Sequence, residues 1–184
     1  MNFQIQTKSK QFLKPDELLS SVGVSPEAVI ADFGCGNGYY SVAAGILVGA
    51  KGQVFALDLM EDALSQTASL AKLTGLHNII TKLCNLETIR GSSLADTSCD
   101  LIILASILHQ VENKENLLRE AYRILKTGGK VLVVEWEKVA SFGPEHKIRV
   151  MKEEVKKLAE KLGFRPEKEL PAGSFHYALL FKKW

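Results

Sequence analysis

AVIADFGCGNGYYSVAAG, residues 28–45, contains the most informative segment of this chain. Its apolar start predicts a buried strand at 28–33, and the small and apolar residues after the glycines predict a buried helix at 39–50. Glycines in the intervening loop let a ligand approach the backbone closely, because no Cβ stands in the way. The spacing G-x-G-x-G differs from the G-x-G-x-x-G of dinucleotide-binding loops, and the carboxylate of Asp32 would repel a pyrophosphate. The loop therefore favours a ligand that carries an ammonium group.

Outward from this loop, short apolar runs alternate with helical patterns. Further strands are predicted at 53–57, 78–83, 100–106, 130–135, 164–170 and 177–181, and further helices at 61–73, 116–125 and 147–162. Regular alternation predicts right-handed crossovers and a parallel sheet. The link between the last two strands is too short for a helical crossover, so these two strands should be antiparallel.

The composition predicts one soluble domain and excludes several classes of protein. The 184 residues are 46% hydrophobic and 24% charged, which is not typical of a disordered or collagen-like chain. The net charge of +2 argues against a general nucleic-acid coat protein. No Cys/His cluster has zinc spacing, so we expect no metal. The absence of paired cysteines, a secretory signal and an apolar span leads us to expect a cytoplasmic protein with no membrane span.

The charge is mildly uneven along the chain. Residues 145–184 carry ten Lys or Arg against six Asp or Glu. Such an excess is typical of a solvated helix face, and an anionic substrate is the alternative.

A second acidic residue points to a nucleoside ligand. Asp58 ends the second predicted strand, 26 positions after Asp32. An acid at that strand end can accept hydrogen bonds from both hydroxyls of a ribose. The alternative is that Asp58 caps the following helix.

Five segments in order carry a resemblance to a known family. They are AVIADFGCGNGYYSVAAG (28–45), GQVFALDLMEDAL (52–64), GLHNIITKLCNLETI (75–89), CDLIILASILHQV (99–111) and LLREAYRILKTGGKVLVVEWE (117–137). Together they resemble the class I S-adenosylmethionine-dependent methyltransferases of the type-11 group, which includes relatives of the ubiquinone/menaquinone-biosynthesis C-methyltransferases. The resemblance implies an enzyme that uses S-adenosylmethionine as its cofactor.

The fold and domain expectations follow from this resemblance and from the predicted elements. We expect an α/β fold, a Rossmann-like three-layer sandwich with a seven-stranded, mostly parallel sheet. Its order should be 3-2-1-4-5-7-6, with only strand 7 antiparallel. We expect a single domain over residues 1–184, in which residues 1–20 cap the site.

For the methionine end of the cofactor, the resemblance implies four residues. Gly34 and Gly36 would pass beside the methionine part, and Asp32 would lie near its amino end. Ala105 would supply a backbone carbonyl near the same amino group.

For the adenosine end, the resemblance implies five residues. Asp58 would hold the ribose hydroxyls, and Leu59 and Met60 would pack on the adenine. Asn85 and Leu86 would meet the adenine edge, Leu86 through its backbone N–H. Many relatives carry Asp at the position of Asn85, but its amide oxygen can still accept a hydrogen bond. A simple turn role is the alternative for Asn85.

His109 is the candidate catalytic residue. It follows the fourth strand at the carboxyl edge, where open α/β sheets bind ligands, and a neutral imidazole could take a proton from an acceptor. The alternative is that His109 packs beneath the adjacent helix or orients a loop. Glu135 and Trp136, at the end of the fifth strand, could line an acceptor pocket or pack as ordinary strand-end residues. His176 is isolated in the sequence, so a loop or surface role is expected for it.

The resulting functional hypothesis is methyl transfer to a small-molecule acceptor. ASILHQ at 105–110 is not the Asn/Asp-Pro-Pro-Tyr tetrapeptide of many N-methyltransferases, and no RNA-binding module is appended. Nucleic acid is therefore not the expected substrate, and a homodimer is left open. The alternatives are a methyltransferase acting on RNA or protein, and a non-catalytic module that retains the cofactor fold.

Overall fold

The computed structural model describes residues 13–184, and the elements below lie within that range. The five helices are α1 (Pro15–Val22), α2 (Tyr39–Val48), α3 (Glu61–Leu73), α4 (Lys114–Ile124) and α5 (Lys152–Lys161). The seven strands are β1 (Val29–Phe33), β2 (Gln53–Asp58), β3 (Ile79–Leu83), β4 (Cys99–Ala105), β5 (Leu125–Trp136), β6 (Phe164–Leu170) and β7 (His176–Lys183).

All seven strands form one sheet, and the predicted strand order is confirmed as β3-β2-β1-β4-β5-β7-β6. Strands β1 to β5 pair in parallel, whereas β7 is antiparallel to both β5 and β6. The α/β class and the Rossmann-like three-layer arrangement are therefore confirmed.

The sheet is covered on both faces because neighbouring residues of each strand point to opposite sides. On one face, Ile30 and Ile103 pack with α1 and α2. On the other face, Ile102 packs with α4 and α5 residues such as Leu117 and Val155. Because β1, β2, β4 and β5 are parallel, their carboxyl ends meet at one edge of the sheet, and this edge carries the candidate site.

Helix α1 was not predicted as a helix from the sequence. Its apolar residues Leu18, Leu19 and Val22 are buried against α2 and the sheet, and Gly23 ends it with a left-handed φ of 75°. The start of the expected cap, residues 1–12, lies outside the described residues.

The two largest differences between predicted and observed element boundaries are at the starts of β5 and α5. Strand β5 begins at Leu125 rather than at residue 130, because Leu125 pairs with Cys99 before an irregularity shifts the register to Leu101 with Lys130. Helix α5 begins at Lys152 rather than at residue 147. Among residues 13–184, no helix is long and apolar enough to cross a membrane.

Candidate functional site

The glycine loop between β1 and α2 is shaped by its neighbours. A Cβ on Gly34 would lie 2.6 Å from Cδ1 of Ile107, and a Cβ on Gly38 would lie 2.9 Å from Cα of Thr67. Gly36 is different, since a Cβ there would meet nothing within 4 Å, although its φ is +51°. Packing therefore requires two of the glycines, while Gly36 borders open space that a ligand can occupy.

Asp58 ties this loop to the end of β2. Its Oδ2 accepts a hydrogen bond from the backbone N–H of Gly36 at 3.0 Å, and its Oδ1 accepts one from the N–H of Met60 at 3.0 Å. Met60 is the N-cap residue of α3, and no side chain caps that helix. The half-exposed carboxylate keeps lone pairs beyond these two bonds, because an ionised carboxylate has about four acceptor sites.

A cavity of about 600 Å³ opens beside Asp58, and we call it the Asp58 cavity. Five residues that the resemblance assigned to the adenosine end all line it: Asp58, Leu59, Met60, Asn85 and Leu86. The side chains of Leu59 and Met60 are more than 60% exposed, an unusual state for apolar groups beside a cavity, whereas Leu86 is buried. The amide oxygen of Asn85 accepts a hydrogen bond from the N–H of Glu87 at 2.9 Å.

A second cavity, of about 890 Å³, lies on the other side of the loop, and we call it the Trp136 cavity. Asp32 and Ala105 line it, together with Tyr40, Trp136 and His176. The two cavities share four lining residues: Gly34, Gly36, Asn37 and Gln110. A ligand crossing the glycine loop would therefore reach both cavities.

Asp32 is a buried carboxyl in the wall of the Trp136 cavity. It is 1% exposed and accepts a hydrogen bond from Oγ of Ser41 at 2.6 Å. Burial raises the pKa of Asp32 to about 7, although the bond from Ser41 acts in the opposite direction. The hydroxyl of Tyr40, in the same wall, is buried and has no hydrogen-bond partner among the described residues.

His109 lies at the same sheet edge but lines neither cavity. Its Nδ1 is 2.8 Å from Oε2 of Glu135, and its side chain is only 8% exposed. The other oxygen of Glu135 accepts a hydrogen bond from the N–H of Leu108 at 2.6 Å. Glu135 is fully buried, so the pair joins the end of β5 to the loop after β4.

The sequence analysis missed several residues that the fold brings to the site. Ser41 holds Asp32, Gln110 borders both cavities, and His176 starts β7 in the wall of the Trp136 cavity, not on the surface. Ser41 is detectable in principle, since it lies on the first turn of the helix that follows the loop. No local signal marks His176, because only the pairing of β7 with β5 sets it beside Trp136. No group of metal-ligating side chains occurs among residues 13–184.

The profile of a family described as a methyltransferase domain matches residues 25–172. The ubiquinone/menaquinone biosynthesis C-methyltransferase UbiE of Pseudoalteromonas translucida is 35% identical over 133 residues, 72% of this chain and 50% of that protein. An arsenite methyltransferase of Aquipseudomonas alcaligenes is 33% identical over 106 residues, 55% of this chain and 31% of that protein. The chain thus spans about half, or less, of the length of these curated relatives.

Solved structures agree with the fold. A SAM-dependent methyltransferase from Aquifex aeolicus has a TM-score of 0.85 at 23% identity, covering 92% of this chain and 89% of that one. A protein from Sulfolobus solfataricus assigned to the type 11 methyltransferases has a TM-score of 0.76 at 26% identity, covering 94% of each chain. The first of these likenesses shows the fold alone.

Proposed function

The chain belongs to the class I S-adenosylmethionine-dependent methyltransferases of the type-11 group, and we propose that it methylates a small-molecule acceptor. The observation that carries this proposal is the pair of cavities that meet at the glycine loop. The Asp58 cavity suits the adenosine of the cofactor, and the Trp136 cavity suits its methionine end together with the acceptor.

The residues of the Asp58 cavity fit a nucleoside. Free lone pairs on Asp58 can accept hydrogen bonds from ribose hydroxyls, and the exposed faces of Leu59 and Met60 would lose contact with water against an adenine ring. The open space at Gly36 leaves room for the ligand to lie on the backbone. We assign Asn85 and Leu86 to the adenine edge, as the resemblance implies.

The residues of the Trp136 cavity fit the amino end of the cofactor. An ammonium group beside Asp32 would offset the cost of ionising this buried carboxyl, which otherwise favours its protonated form. We assign Gly34 and Ala105 to the same end, since both line this cavity.

The bound cofactor supplies an activated methyl carbon, so the protein has to bind, orient and exclude water. Asp58 would fix the ribose end, and Asp32 would fix the amino end. A base is needed only when the acceptor must lose a proton. We assign His109 to holding the loop after β4, because its Nδ1 bonds to the buried Glu135 and its side chain lines neither cavity.

On organisation, we propose a single domain over residues 1–184 in a cytoplasmic protein. We further propose that residues 1–20 cap the site. Within the described part of this segment, Leu13, Pro15 and Asp16 line the Trp136 cavity, which supports a cap that belongs to the same domain. Whether the protein forms a homodimer is decided by its mass in solution.

Calorimetry against S-adenosylmethionine, its demethylated product and NAD tests the cofactor assignment. We expect both adenosyl compounds to bind and NAD not to bind. A tritium-methyl screen of metabolite and RNA pools then tests the acceptor class, with Asp58→Ala as the control that should bind the cofactor more weakly and transfer less label. Label that appears only in RNA would support the nucleic-acid alternative, and binding without any transfer would support a non-catalytic module.

A further inference from the structure

The described lining of the Trp136 cavity includes two acidic side chains, Asp16 and Asp32, and no Lys or Arg. This is notable because residues 145–184 are rich in Lys and Arg. An anion that entered this cavity would lose hydration without gaining a Lys or Arg partner from the described lining, which is costly. The lining therefore opposes an anionic acceptor.

One wall of this cavity contains two aromatic rings in contact, tilted relative to each other. Trp136 and His176 are register partners at the end of β5 and the start of β7, and their ring centroids are 4.0 Å apart at 42°. Both rings line the cavity. The indole of Trp136 thus contributes flat, largely apolar surface to the wall, which suits a flat ligand.

His176 adds a polar group to this wall. Its Nδ1 is buried and has no hydrogen-bond partner among the described residues. Burial lowers the pKa of His176, so the ring is neutral at physiological pH. A neutral imidazole presents one donor and one acceptor, and therefore hydrogen bonding without charge.

The loop after β5 also packs against the indole of Trp136. A Cβ on Gly143 would lie well inside van der Waals distance of the Trp136 ring, so the loop backbone packs directly on the indole. Phe142 is also close, and its ring centroid lies 6.2 Å from that of Trp136.

The same loop is held in place by the buried guanidinium of Arg149. This group donates hydrogen bonds to five backbone carbonyls of the loop: those of Glu137, Lys138, Ala140, Phe142 and Pro144. The position of Trp136 is thus determined by a well-anchored loop.

We propose that Trp136 and His176 are specificity-determining residues, and that the acceptor they select is flat and uncharged rather than anionic. Trp136 would pack against the flat face, and His176 would hydrogen-bond to a polar group of the acceptor. This inference rests on the proposed function, because it concerns the acceptor of the methyl group. Its first test needs neither cofactor nor acceptor.

The chain's two tryptophans make that test direct. Trp184→Phe leaves Trp136 as the only indole, and Trp136→Phe leaves Trp184 as the only one. The ring centroid of Trp184 lies 4.4 Å from Cζ of Arg165 and 5.5 Å from Nζ of Lys182. Fluorescence quenching by iodide, an anion, is compared with quenching by acrylamide, which is neutral. We expect the iodide-to-acrylamide ratio of quenching constants to be about threefold or more lower for Trp136 than for Trp184. Equal ratios would overturn the proposed charge preference.

A second measurement uses benzamide and benzoate, a flat pair that differs mainly in charge. Saturation-transfer NMR with the demethylated cofactor product present should detect benzamide and not benzoate. His176→Phe should weaken benzamide binding about 5- to 10-fold, the effect of one lost hydrogen bond, and Trp136→Ala should weaken it further. Trp184→Phe is the matched control and should change nothing.

The outcomes separate this inference from the proposed function. If benzoate binds as well as benzamide, or if neither variant weakens benzamide binding, the inference is wrong. Binding of the demethylated product is measured by calorimetry on the same variants and should be unchanged. If even the wild-type protein binds neither adenosyl compound, the proposed function fails, while the quenching comparison still decides the charge preference of the cavity.

Discussion

The two cavities beside the glycine loop are built in different ways. In the Asp58 cavity, the five residues assigned to the adenosine end lie at or directly after the ends of β2 and β3, so they form two short stretches of the chain. The Trp136 cavity draws on α1, β1, α2, β4, β5 and β7, from Leu13 to His176. The first cavity can therefore be recognised in local motifs, whereas the second depends on how distant strands pair.

This difference corresponds to a division of roles. A shared cofactor requires the same contacts in many relatives, and residues at the ends of two adjacent parallel strands can supply these contacts. An acceptor differs between enzymes, and loops and strand ends that are far apart in the chain can change without disturbing the cofactor contacts. Four variants would test this comparison.

The largest effect is expected for Glu135→Ala, which affects the Trp136 side. Glu135 accepts hydrogen bonds from Leu108 and His109 while fully buried. A buried donor left without a partner costs about 1–3 kcal/mol, so we expect a loss of about 2–6 kcal/mol in the free energy of unfolding. Urea denaturation measures it. Glu137→Ala is the control, because its partly exposed ion pair with Lys152 should contribute about 1 kcal/mol or less. Equal losses in the two variants would contradict a structural role for Glu135.

The second effect concerns the Asp58 side. Asp58→Ala should weaken binding of S-adenosylmethionine by about 1.5–3 kcal/mol, the range for losing a hydrogen bond to a charged group. Part of this loss would come from the freed N–H groups of Gly36 and Met60. Calorimetry checks it, with Glu61→Ala as the control for removing a nearby exposed charge. An unchanged affinity together with a much lower melting temperature would reduce Asp58 to a structural loop residue.

The third effect is a pH dependence of cofactor affinity, which arises from Asp32 in the Trp136 cavity. Asp32 has a pKa of about 7 in the folded protein, against 3.8 for an exposed carboxyl. A ligand ammonium favours the ionised form, so affinity should rise with pH by about tenfold from pH 6 to pH 8 and level off above the pKa. Asp32→Asn should abolish this dependence. Affinity that is flat across this range in the wild-type protein would exclude Asp32 as the ammonium partner.

The same titration predicts a change in stability. Between pH 3.8 and about 7 the folded state binds more protons at Asp32 than the unfolded state does. The contribution of Asp32 to stability therefore falls as pH rises through this window. Without ligand, Asp32→Asn should raise the melting temperature more at pH 8 than at pH 5, which thermal denaturation at the two values would measure.

The smallest effect on activity is expected for His109→Ala. Losing the bond to Glu135 should cost about 1–3 kcal/mol in stability, while kcat per folded molecule stays nearly unchanged. His109→Asn, which retains a donor, should recover part of the stability. A fall of about 10²-fold in kcat with normal stability would instead establish His109 as a general base.

The sequence predicted most of the alternating strands and helices well. It predicted less well the helix before β1 and the segment between β5 and α5. The predicted bounds of α3 and β6 agree with the structure, because a glycine lies beside each of them. Gly75 follows the end of α3, and Gly163 precedes the start of β6. Helix α1 was missed because it has eight residues and its stability comes from burial of Leu18 and Leu19 against α2. The late start of α5 reflects the buried guanidinium of Arg149, whose bonds hold residues 137–144 in a loop.

The spacing of residues along the chain was enough to find the glycine loop and to place Asp58 at a strand end, since the carboxyl ends of parallel strands meet at one edge. The strand order and the other residues around Asp58 came from the resemblance to the family. Three features became visible in the folded chain alone: His109 bonds to Glu135, Asp32 is buried with a raised pKa, and the His176 ring contacts that of Trp136. Burial and cross-strand register are properties of chain segments far apart in sequence, so no local pattern of residues specifies them.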